Sequence, residues 1–105
     1  MFRHVVMFSW NETTSADEVA SIAAGLDELG ATIPAVRAYR HGPDAGLGEG
    51  NYDYVVVADF DSAADYVVYR DHPVHRAFVR DRLVPHIARR AAVQYDLGTG
   101  RLTTA

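Results

Sequence analysis

The sequence predicts a single α+β domain in which four strands and two or three helices follow the order β-α-β-β-α-(α)-β. Three observations lead there. Two runs, FRHVVMFSW (2–10) and YDYVVVADF (52–60), are dense in the β-branched and aromatic residues that suit a pleated surface. Between them Val19, Ile22, Ala23, Leu26 and Leu29 recur at helical spacing. Beyond them Pro73 restarts a helix that an earlier cap has begun. At 105 residues the chain has no room for a second core.

Taken in order, the first strand puts Phe2, His4, Val6, Phe8 and Trp10 on one face and Arg3, Val5, Met7 and Ser9 on the other. Both faces are mostly apolar, so both are expected to be covered. Ser15, with Glu18 three residues on, makes a capping box that opens the first helix. Gly30 is expected to end it, and Pro34 separates it from an extended run near 35–41. The stretch GPDAGLGEGN, Gly42 to Asn51, has four glycines and no periodicity, hence a loop; no helix follows, so it is not a dinucleotide fingerprint. After the strand at 52–60, Asp61 or Ser62 caps a second helix over about 62–70. Proline suits the first helical position and disfavours helix in the residue before it, so Pro73 begins a third helix, expected to reach Val84, where Pro85 breaks it. A turn through Ile87 leads to a last strand near 91–97, AAVQYDL. The domain is therefore placed at 1–97, with 98–105 expected to be a flexible tail.

This order is the split βαβ, or ferredoxin-like, pattern. Its helices can cover one face of the sheet. The other face, apolar by alternation, calls for a partner, and a second copy packed sheet against sheet makes a homodimeric α/β barrel.

Composition narrows the function. A net charge of −4 provides no basic field for nucleic acid or acidic lipid. No apolar run approaches membrane-spanning length, and the N-terminal stretch, with Arg3 and His4 and no small-residue cleavage site, reads as a strand rather than a signal peptide. A cytoplasmic protein is expected. The absence of cysteine excludes disulfides, thiolate metal sites and cysteine nucleophiles. All ten cations are arginine, a bias that, with abundant Ala, Val, Gly and Asp, points to a GC-rich bacterial source.

The chemistry concentrates in YRDHPVH, residues 69–75. With Pro73 at the first helical position, His72 is the cap and His75 lies in the first turn. The partial positive charge of a helix start disfavours imidazolium, and a neutral imidazole can accept a proton, so the placement suits a general base. Tyr69, at the end of the preceding helix, is positioned to orient that ring or to donate to a developing oxyanion. The competing reading is plain helix capping by His-Pro. His72 and His75 also have the i, i+3 spacing of metal ligands, but no third ligand is evident, and no metal is expected. His4 has two readings, a core histidine bonded across the sheet or a pocket residue. Phe8, Trp10, Tyr39 and Tyr54 read as core or interface, although an aromatic pocket wall would use the same residues. His41 and His86 are expected to be solvated, and Arg76, Arg80 and Arg82 to form a wet helix face pairing with Asp71 and Asp81.

The series FRHVVMFSW, IPAV, YDYVVVADF, YRDHPVHRAF and VQYDL, in this order and spacing over 2–97, resembles the stress-responsive α/β-barrel (Dabb) domain family, whose most recognisable piece is His-Pro-x-His. The resemblance implies a dimeric ferredoxin-like barrel. It extends to the olivetolic acid cyclase branch, which closes a linear poly-β-ketone into an aromatic acid without a cofactor. That branch's base falls on His75, its partner tyrosine on Tyr69 and a further pocket histidine on His4. Its pocket tyrosine on the first helix falls on Leu26, a departure that bears on substrate and chemistry. The function implied is a cofactor-independent polyketide cyclase-type lyase using His75 as general base on a polyketide or other hydrophobic small molecule. The alternatives are a non-catalytic stress-responsive or ligand-binding dimer, and a cofactor-free monooxygenase like those of related dimeric barrels.

Overall fold

A computed structural model of the chain describes residues 1–98; the expected tail, apart from Gly98, lies outside the described residues. The elements are β1 (Phe2–Trp10), α1 (Ala16–Thr32), β2 (Ala38–Pro43), β3 (Tyr54–Phe60), α2 (Ala63–Asp71), α3 (Pro73–Phe78) and β4 (Ile87–Asp96). A π-helical turn (Val79–Leu83) and a 3-10 turn (Val84–His86) connect α3 to β4. The four strands form one antiparallel sheet in the order β2-β3-β1-β4. This is the ferredoxin-like fold.

Local chemistry accounts for the helix ends. The capping box closes in both directions: the Glu18 amide donates to Ser15 Oγ (3.2 Å) and the Ser15 amide to the Glu18 carboxylate (3.0 Å). Helix α1 does not stop at Gly30. It runs to Thr32 and ends where Ile33, the residue before Pro34, takes an extended backbone (φ −96°, ψ 110°), the conformation that a following proline imposes. Gly30 stays inside the helix for a different reason. A Cβ there would lie 2.6 Å from the Tyr39 ring and 2.8 Å from Tyr39 Cβ, so only glycine lets β2 bring Tyr39 this close. We expect Gly30→Ala to cost about 1–3 kcal/mol by overpacking, read as a lowered denaturant midpoint. No change in the midpoint would mean that Tyr39 moves freely.

Ser62, not Asp61, caps α2, its side chain accepting from the Asp65 amide (3.2 Å); Asp61 is occupied by Arg37 (2.6 Å). His72, extended before Pro73, ends α2, and its Nδ1 accepts from the Val74 amide (3.1 Å) to cap α3. Strand β4 begins at Ile87, four residues before the expected start at 91. Its first half, Ile-Ala-Arg-Arg, has no apolar alternation from which a strand could be read.

Register decides which side chains meet. On the helix-covered face, one row across all four strands is Tyr39, Ala58, His4 and Gln94. The next is His41, Val56, Val6 and Ala92, and beyond it Tyr54, Phe8 and Arg90 line up. The core of Ile22, Leu26, Leu29, Ile33, Phe78 and Leu83 packs on this face against Val6, Phe8, Val56 and Phe60. The opposite face carries the rows Arg40, Val57, Val5, Val93 and Gly42, Val55, Met7, Ala91. Met7 and Val93 are exposed there. Strand β1, expected to be covered on both faces, is covered on one by its own chain.

Candidate active site

Between the sheet and α1–α3 lies a cavity of about 180 Å³, mostly apolar, whose wall includes His4, Tyr39, Tyr69, His75, Leu26 and Arg90. Four of the sequence-predicted residues thus meet in one space. His72 is not in this wall; its ring caps α3. Leu26, 2 % exposed, is a plain apolar wall residue. Among the described residues no group of three His, Asp or Glu side chains could hold a metal ion.

The two cavity imidazoles are held in opposite tautomers by their neighbours. His75 Nδ1 lies 3.0 Å from the Arg70 carbonyl oxygen. A carbonyl can only accept, so Nδ1 carries the proton and Nε2 keeps its lone pair. Burial pushes the His75 pKa below its ordinary value, and the positive charges of His72 and Arg90 act in the same direction; the Arg70 carbonyl opposes them. Across the cavity, the Gln94 side-chain amide donates to His4 Nδ1 (2.8 Å). His4 is 5 % exposed, and its burial, with Arg90 and His75 nearby, depresses its pKa to about 4. It is therefore neutral near pH 7 with its proton on Nε2, a hydrogen-bond donor. His4 is thus bonded across the sheet and also lines the cavity.

Tyr69 touches His75 ring on ring, with centroids 4.3 Å apart. Its hydroxyl meets the Tyr39 hydroxyl at 2.9 Å. One of those two protons is used in the bond between them, leaving the other for whatever occupies the cavity. Desolvation pushes the Tyr39 pKa up to about 12 and that of Tyr69 higher still, so both phenols stay protonated. Phe60 backs the Tyr69 ring at 5.3 Å. Tyr39 was legible only as core or pocket wall, because nothing local in β2 shows that the register sets it in one row with His4.

Two other histidines correct the expectation of solvation. His41 Nδ1 meets the Tyr54 hydroxyl at 2.7 Å and its Nε2 meets Asp27 at 2.6 Å, with its side chain 10 % exposed. His86 meets the Thr14 hydroxyl at 3.1 Å and is half-buried. Each ties a strand end to the start or middle of α1. Arg80 pairs with Asp81 (2.7 Å) as expected, but Asp71 pairs with Arg70 (3.0 Å), and Arg82 reaches Ser21 and lies over Phe78.

A family model described as the Stress Responsive A/B Barrel Domain matches residues 2–97. The chain belongs to this family. Among solved structures, a dimeric ferredoxin-like protein of unknown function from Thermobifida fusca YX is 42 % identical, with a TM-score of 0.83 over 90 % of this chain and 88 % of that one. A Dabb family protein from Mesorhizobium loti MAFF303099 is 26 % identical, with a TM-score of 0.79 over 90 % of this chain and 94 % of its own. The hydroxynitrile lyase of Passiflora edulis, 19 % identical with a TM-score of 0.81 over 90 % of each chain, shares the fold. No curated protein matches this Dabb chain.

Proposed function

We propose that the chain is a cofactor-independent, polyketide cyclase-type enzyme that closes a ring by intramolecular aldol addition. The observation that carries this reading is the pair of neutral imidazoles in one apolar cavity, one offering a lone pair (His75 Nε2) and the other a proton (His4 Nε2). A carbon flanked by two carbonyls is acidic enough for such a base. His75 Nε2 takes its proton, the enolate carbon bonds to a second carbonyl carbon of the same molecule, and that oxygen becomes an alkoxide facing the His4 N–H. Proton return from His75 to the alkoxide leaves the enzyme unchanged and uses no co-reactant. The cavity limits what can react inside it: about 150 Å³ holds a benzene, so about 180 Å³ accommodates one forming ring and little more. Incubation with a panel of short 3,5,7-trioxoalkanoyl thioesters, in which C2 reaches the C7 carbonyl in a six-membered ring, followed by chromatography and mass spectrometry, is expected to show ring closure faster than in buffer. A bound apolar molecule recovered at unit stoichiometry, with no turnover of any member of the panel, would make this a binding protein instead.

We propose that the working form is a homodimer, as the 42 %-identical relative is described to be, and that it is joined through the open sheet face. Support comes from the apolar row Val57, Val5, Val93 at the centre of that face. Placing an unpaired carboxylate in such an interface costs several kcal/mol, so Val5→Glu is expected to raise the dimer dissociation constant by at least about 100-fold. Sedimentation equilibrium reads the result; an unchanged dimer would remove this face from the interface.

A further inference from the structure

The cavity does not end at His75. The same imidazole, with Arg70, Val79 and Val84, also lines a wider vestibule of about 540 Å³ that opens to solvent and is completed by Arg76 and Arg80. Arginines therefore flank the wall the two spaces share, of which Arg70 is itself a part: Arg90 on the cavity side and Arg76 and Arg80 on the vestibule side. Two of them are already neutralised, Arg70 by Asp71 (3.0 Å) and Arg80 by Asp81 (2.7 Å). Arg76 and Arg90 make no ion pair and no side-chain hydrogen bond among the described residues. Several other arginines of this chain have one: Arg3 holds Asp59, Arg37 holds Asp61, and Arg82 bonds Ser21.

Position argues against simple solvation for Arg90. It stands opposite Phe8 on the helix-covered face of the sheet, in line with Ala92 and Gln94, on the side where the rest of β1 places Val6 and His4. Its charge reaches both cavity imidazoles, since it disfavours protonation of each. A chain of net charge −4 thus has an excess of cations at the mouth of an apolar, histidine-lined cavity. Guanidinium groups without a carboxylate partner are suited to carboxylate and phosphate oxygens.

We propose that the mouth between cavity and vestibule is an anion subsite, and that the substrate joins a ring-sized reacting end, seated in the cavity, to a carboxylate or phosphate held where the two spaces meet, between Arg90 on the cavity side and Arg76 on the vestibule side. This rests on the reading of the cavity as the substrate site. It also answers the size problem: a chain too long for 180 Å³ leaves its charged remainder at that mouth. A phosphate would mark a substrate presented on a phosphorylated carrier arm, and a carboxylate a free keto acid.

The test needs no turnover. Phenylacetate, benzyl phosphate and neutral benzyl alcohol present the same ring with and without charge, and the His4 and His75 ring resonances in NMR report occupancy of the cavity. At low salt the anions are expected to bind at least about tenfold more tightly than the alcohol, with the difference shrinking as salt screens it. Arg76→Gln with Arg90→Gln is expected to abolish the preference, so that the variant binds the anions no more tightly than it binds the alcohol. Both sites are exposed, and such substitutions leave stability nearly unchanged, which circular dichroism checks. The stronger of the two anions identifies the source of the charge. Equal binding of all three probes to the wild type, or anion affinity that survives the double substitution, overturns the subsite while the cavity reading stands. If no probe moves either histidine, the cavity takes no ring and both conclusions fail together.

Discussion

His75→Ala is expected to lower the rate of ring closure by about 10²–10⁴-fold, the range over which a positioned general base contributes, while the far-ultraviolet spectrum and melting temperature stay close to wild type. The folded state should survive because the ring is only half-buried and its one side-chain hydrogen bond among the described residues is to the Arg70 carbonyl. His72, whose Nδ1 caps α3, is the structural contrast: its removal is expected to affect stability more than rate. The pH dependence follows from the direction of the shift. The base works when unprotonated, and its pKa lies below the usual 6.5 or so. Activity should therefore already be full at neutral pH and fall only on the acid side of 6.5. Stability has an acid limb of the same sign. His4 has a pKa near 6.5 when unfolded and about 4 when folded, so the unfolded chain binds more protons between these values. Stability is whole above about 6.5 and declines as pH falls toward 4. A wild-type rate for His75→Ala with a genuine substrate would remove the base from the mechanism.

How much of this was legible beforehand depends on the distance over which each feature is determined. The helix starts at Ser15 and Ser62 and the break at His72-Pro73 are properties of three or four adjacent residues, and they stand where adjacent residues place them. The β-branched and aromatic density of 52–60 likewise marks β3 directly. What sequence could not show is set across the sheet. That Gln94 selects the tautomer of His4, and that Tyr39 shares its row, follows from the register of three strand pairs separated by tens of residues. Gly30 was misread for the same reason: glycine is a common helix terminator, and only the approach of β2 reveals that this one makes room for a ring. Arg90 was invisible as a site residue because two adjacent arginines on an edge strand look like solvated charge until one is seen to line the cavity.

Phe60→Ala is expected to have the largest effect on stability, about 3–5 kcal/mol, against a total of about 5–15 kcal/mol for a domain of this kind. Phe60 is fully buried at the end of β3, opposite Phe2 on β1, and its ring meets Tyr66 at 5.7 Å and Tyr69 at 5.3 Å. Removing it leaves a void under the segment of α2 that carries Tyr69, and the surroundings cannot collapse fully because the sheet fixes one side. The consequence reaches the site through one chain of contacts: Phe60 supports Tyr69, Tyr69 lies against His75 at 4.3 Å, and Tyr69 also holds Tyr39 through the hydroxyl pair. Two variants separate packing from chemistry. Phe60→Leu keeps most of the volume and should cost less than about 1.5 kcal/mol, with the His75 resonance nearly unmoved. Phe60→Ala should both destabilise the fold and shift that resonance, since the aromatic ring against the imidazole is no longer held. Urea unfolding gives the first number and a histidine titration the second. A Phe60→Ala protein that unfolds early yet keeps the wild-type His75 titration would show that Tyr69 is held by Tyr39 and α2 alone, and that the core and the site are energetically separate.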